Sequence, residues 1–187
     1  MAEDLTPADV EAYTQGRLLA SDPETARLLA ASLDRVRRFC GWHVSPVQSN
    51  TESLDGEGWP YFVLPTRKVV DIVSITEDGN AVDLTTVRQK TDEPGVIYKR
   101  DAYWCGEIEI EYTHGYTADE AAAFRDEVLA LIERTEMQQG TGAAGPLTGI
   151  EVDDVNMRWS GVMDRSWGIA KNPLNESVLY KYRILPV

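Results

Sequence analysis

The sequence is poor in the residues that most often carry chemistry. Two cysteines and two histidines occur in 187 residues. A disulfide-stapled scaffold is therefore excluded, and Cys40 and Cys105 are expected as free, buried thiols that behave as small hydrophobes. Long apolar runs are also missing. Stretches such as Phe62-Val63-Leu64 fall far short of the roughly 20 residues a membrane helix needs. The opening Met-Ala-Glu-Asp-Leu carries no apolar stretch, so no signal peptide is expected and synthesis in a cytoplasm is. Positive charge is scarce as well: 18 Lys and Arg stand against 31 Asp and Glu, a net charge of −13. Such a chain does not attract nucleic acid by counterion release. Its acidity keeps it soluble and lets DNA pass without sticking. No Gly-x-Ser-x-Gly elbow, phosphate loop or His-Glu-x-x-His motif occurs, so no enzyme class is indicated and no cofactor is expected.

What is present is the composition of a globular protein, 43% hydrophobic and 26% charged. Residues 1–20 read as an N-terminal arm, with a helix start at Thr6-Pro7-Ala8-Asp9. Ser21-Asp22-Pro23-Glu24 reads as a capping box with Ser21 as N-cap. Leu29, Leu33, Val36 and Cys40 then recur at helical spacing, and Gly41 closes the helix. A β-rich stretch follows, with a turn at Asp55-Gly56 and Gly58 and strands at 61–64 and 69–76. A hairpin turn at 77–80, a return strand at 81–84 and strands at 96–98 and 106–113 complete it. In the last of these, Ile108, Ile110 and Tyr112 alternate with Glu107, Glu109 and Glu111, which predicts one buried and one acidic face. Thr117 to Glu120 opens a second helix running to about Gln138. Residues 139–149 are glycine-rich and read as a hinge. Beyond them, residues 150–187 read as a strand or hairpin followed by a short helix starting at Asn172-Pro173. The expected architecture is α+β: two long helices on a small, mostly antiparallel sheet (residues 21–138), with a C-terminal extension.

Three segments carry a resemblance. They are Phe39-Cys40-Gly41-Trp42-His43, the run from Leu64-Pro65-Thr66-Arg67 to Ile72, and Tyr112-Thr113-His114-Gly115-Tyr116. In order and spacing the chain resembles the head-to-tail connector (adaptor, or head-completion) proteins of long-tailed bacteriophages, and Leu179 to Arg183 is similar to that family's closing helix. The resemblance implies a homo-oligomeric, dodecameric ring at the head-tail interface of a virion, assembled in the host cytoplasm. It implies docking of C-terminal segments on the portal protein, a further neck or tail component on the other side, and DNA passing through the channel without sequence-specific binding. No membrane is involved.

The residues sort accordingly. Trp159, Trp167, Leu179, Tyr180, Tyr182 and Arg183 are the candidate portal or subunit interface, because aromatic residues and arginine dominate binding hot spots. Glu107, Glu109, Glu111, Asp153 and Asp154 form a candidate acidic face, suited to a channel lining or a basic partner surface. Gly41 and Gly115 let the chain turn, with Trp42, His43, His114 and Tyr116 covering the core edge. Two other readings stay open. The chain could be a stopper or tail-completion protein one layer further down. It could also be a small metal-dependent enzyme using Cys40, His43 and His114, with Cys105 as a fourth ligand. Against the metal, Cys105 and His114 bracket a strand of on the order of 25–30 Å.

Overall fold

The computed structural model describes residues 5–90, 92–140, 149–152, 155–158 and 174–184. It is α+β, with antiparallel sheets and a few helices. Helix α1 (Pro7–Tyr13) starts on a reciprocal capping box between Thr6 and Asp9. Val10 of α1 is fully buried, and with Leu5 it belongs to the same cluster as the long helices. Helix α2 (Pro23–Cys40) is capped by Asp22, whose carboxylate accepts the Glu24 N–H. The cap falls one residue later than Ser21 because Pro23 takes the first helical position. Leu28, Leu29, Leu33, Val36 and Cys40 form its buried stripe.

Strand β1 (Gln48–Trp59) runs straight through the turn expected at Asp55-Gly56. Gly56 lies opposite Gly106 in the β1–β7 register. A Cβ at Gly56 would sit 2.7 Å from the Cys105 backbone nitrogen. Here glycine serves a close backbone approach rather than a reversal. Strands β2 (Tyr61–Val63), β3 (Val69–Glu77) and β4 (Asn80–Ala81) follow. The return strand expected over 81–84 stops at Ala81, because Asp83 caps a 3-10 turn at Leu84–Thr86. Then come β5 (Val87–Gln89), β6 (Val96–Lys99) and β7 (Trp104–His114).

Thr117 and Glu120 exchange capping-box hydrogen bonds as expected, but regular helix begins only at Ala122. Helix α3 (Ala122–Gly140) buries Phe124, Val128, Leu131 and Ile132. Strands β8 (Gly149–Val152) and β9 (Val155–Arg158) pair only with each other among the described residues. Helix α4 (Glu176–Leu179) has Asn175 at its N-cap position, without a side-chain capping bond, and runs on into a 3-10 turn at Tyr180–Tyr182; the start expected at Asn172-Pro173 lies outside the described residues.

The first sheet has strand order β1-β7-β3-β4 and the second β2-β6-β5, all antiparallel. Their inner faces share one core: Ile75, Ile108 and Ile110 from the first meet Phe62 and Ile97 from the second. Two sheets packed in this way turn their other faces in opposite directions. A second core lies among α1, α2, α3 and the C-terminal turn. Among the described residues, no helix is long and apolar enough to cross a membrane.

Candidate assembly interface

The C-terminal segment returns onto the α2–α3 pair. Leu179 and Tyr182, expected at an interface with another protein, are 0% and 2% exposed within the helical core of their own chain. Burying such side chains stabilises the fold by roughly 1.5–3 kcal/mol each. Backbone clamps fix the segment. The Trp42 indole N–H donates to the Tyr182 carbonyl at 2.5 Å, and the Ile184 N–H donates to the Cys40 carbonyl at 2.8 Å. The Arg67 guanidinium donates to the Arg183 carbonyl at 2.8 Å. Glu127, nearly buried on α3, accepts from Arg134 at 2.5 Å and from the Asn175 N–H at 2.8 Å. What remains outside is Tyr180, 51% exposed. Beside it the Arg183 guanidinium lies 5.0 Å from the Phe39 ring and 5.9 Å from the Tyr180 ring. Of the interface candidates, this pair is available on the surface; Trp159 and Trp167, like Asp153 and Asp154, lie outside the described residues.

The turn and cover residues come together where the helical layer meets the first sheet. Gly41 and Gly115 have φ of +80° and +108°, values that favour glycine. Trp42 packs against Tyr116 and His114, with ring centroids 5.8 and 6.3 Å apart. The Nε2 of His43, a half-buried side chain, lies 2.7 Å from the Pro46 carbonyl oxygen. His114 is only 3% exposed, and its ring lies 5.1 Å from Tyr112 and 5.9 Å from His43. Neither of its ring nitrogens has a hydrogen-bond partner among the described residues. Burial, with a smaller contribution from His43, pushes its pKa down to about 4.

The structure does not assemble the metal set. Burial pushes the Cys40 thiol up to about 12. Cys105 is exposed, not buried as expected, because it points outward from the start of β7 while His114 ends the same strand. Among the described residues, no group of three or more His, Cys, Asp or Glu side chains is placed to hold an ion.

The outer faces of the two sheets differ in chemistry. On the first, Glu107, Glu109 and Glu111 are exposed in a row along β7, and the Ser53 hydroxyl donates to Glu107 at 3.1 Å. Val70 and Val73 are the extra residues at two bulges of β3, and each is about half exposed. On the second, Tyr61 pairs with Tyr98 and Tyr98 with Arg88 across three strands. The Tyr61 and Tyr98 rings are 5.4 Å apart, and Trp59 stacks 6.3 Å beyond Tyr61. Sequence reading missed this row. Its signal was Tyr61-Phe62-Val63, where a strand with one buried side carries large apolar residues on both.

Residues 5–132 match the family model described as head completion protein. The chain belongs to the head completion protein family. The match begins inside the segment read as an arm and ends within α3. No curated protein matches the sequence. Among solved structures, this family member is similar to a chain of the neck of an empty GTA (phage-like gene transfer agent) particle computed with C6 symmetry. The TM-score is 0.61 and the identity 14%, covering 98% of this chain and 91% of that one. A chain of the neck of a native GTA particle, computed with C12 symmetry, gives a TM-score of 0.60 at 12% identity, covering 100% and 97%. At these identities the likeness is one of fold.

Proposed function

We propose that this head completion protein is a structural subunit of a homo-oligomeric, dodecameric ring in the neck of a tailed phage or phage-like particle. The ring docks on the portal vertex, extends the DNA channel and receives the next neck or tail component. The observation that carries the reading is family membership over residues 5–132, joined to a likeness of fold to chains of two neck structures. The chemistry agrees. A net charge of −13 repels DNA in transit. Exposed aromatic side chains with an arginine beside them sit at two separate places, the corner where Tyr180 meets the half-buried Arg183 and the outer face of the β2-β6-β5 sheet. We assign portal docking to the Tyr180–Arg183 corner, together with the segment that bears Trp159 and Trp167.

The test is removal of the gene from the particle that encodes it. DNA-filled heads without tails are the expected product, with tailing restored when the purified protein is added. Normal tailed particles in its absence would rule the reading out. Tyr180→Ser with Arg183→Glu should leave the fold intact and block attachment to portal-bearing heads.

A further inference from the structure

The two sheets of the sandwich present unlike surfaces on opposite sides. One is aromatic with a net positive charge: Trp59 is 55% and Tyr61 39% exposed, beside Arg88 and the half-buried Tyr98, whose hydroxyl donates to a Glu93 already paired with Lys90. Arg88 is exposed and carries no ion-pair partner among the described residues. The other is acidic with an apolar edge: Glu109 and Glu111 on β7 are exposed without partners among the described residues, and Val70 and Val73 on the adjoining β3, which β4 does not cover there, are 50% and 49% exposed. Trp, Tyr and Arg are the residues that dominate interface hot spots, and large exposed apolar groups side by side mark contact surfaces.

We propose that the outer face of the β2-β6-β5 sheet of one copy docks on the outer face of the β1-β7-β3-β4 sheet of a second copy. Charge complementarity selects the occupant. In a chain this acidic, two identical acidic faces repel, whereas Arg88 on one copy meets Glu109 or Glu111 on the next. Tyr61 and Trp59 then cover Val70 and Val73. Because the faces point in opposite directions, the contact is head-to-tail. Each copy keeps one free surface of each kind, and repetition closes into a ring when the rotation between copies allows. This rests on the neck-ring reading and adds the surfaces that build it. It also places Glu109 and Glu111 between copies rather than along the bore.

The experiment uses the full-length chain, sedimented over a range of concentrations at low salt. Arg88→Glu spoils one face and Val73→Asp the other. Both residues are exposed, so circular dichroism should show an unchanged fold. Wild type should associate with rising concentration, and each variant alone should associate at least about tenfold more weakly. Mixed together, the two variants should form a one-to-one pair and nothing larger, because each retains the face the other lacks. Arg88→Glu combined with Glu109→Arg and Glu111→Arg should recover the wild-type association. The proposal is overturned by a wild type still monomeric at about 1 mM, by Val73→Asp associating like wild type, or by a mixture that stays monomeric. Failure of the neck reading looks different: the protein would be missing from purified particles whatever its behaviour in solution.

Discussion

Lowering the pH should weaken this fold through His114. The folded protein holds this imidazole neutral, with a pKa of about 4 where the ordinary value is 6.5. The unfolded chain binds the proton first, so acid favours unfolding. Well above pH 6.5 the effect is absent. It grows as pH falls from 6.5 and is complete below about 4, where the gap amounts to about 3 kcal/mol at 1.36 kcal/mol per pH unit. By about pH 5 roughly 2 kcal/mol should already be lost, a large part of a typical domain's 5–15 kcal/mol. The assay is urea unfolding at several pH values between about 7 and 4.5, for wild type and His114→Phe. Phenylalanine removes the titration and both unpaired ring nitrogens, at some cost in packing. That cost shifts the whole curve without tilting it. Carboxylates held below their ordinary range, such as Asp9 and Glu77, lose stability in acid in both proteins and drop out of the comparison. The expected result is a wild-type curve falling more steeply than the variant's between about pH 6.5 and 5. Parallel curves would show that His114 is not held neutral by its surroundings.

Three further outcomes are expected. Val10→Ala should lower unfolding free energy by about 2 kcal/mol, since Val10 is fully buried in the helical core; no loss in a denaturant titration would make residues 5–13 a dispensable arm. A thiol reagent should label one cysteine per native chain, exposed Cys105, and reach Cys40 only on unfolding, because burial holds that thiol near 12. Mass spectrometry of the labelled peptide decides this, with native labelling of Cys40 as the contrary result. Glu127→Ala leaves the Asn175 N–H unpaired and should cost about 1–3 kcal/mol. It should also speed amide exchange in 175–184 ahead of the rest, and uniform exchange across the chain would count against it.

The helices were the most legible part of the sequence, because caps and apolar stripes are local signals. The reversal at Gly41 and the acidic alternation of β7 were visible for the same reason. Strand β1 was not, because its residues are mostly polar and its glycine reads as a turn until Gly106 is placed opposite. The fate of the chain end was equally hidden. Leu179 and Tyr182 have the composition of a docking surface, and only the three-dimensional position of Trp42 and Cys40 shows that they close their own core. The aromatic row on the second sheet needed the pairing of Tyr61, Tyr98 and Arg88, residues up to 37 positions apart in the chain.

Residues 174–184 are seated through their main chain. The Trp42 indole and the Arg67 guanidinium bind the carbonyls of Tyr182 and Arg183, and the Ile184 N–H binds the Cys40 carbonyl. Main-chain groups are common to all residues save the N–H that proline lacks, so these latches hold whatever side chains positions 183 and 184 carry. Substitution there can change the chemistry the final turn displays without unseating it.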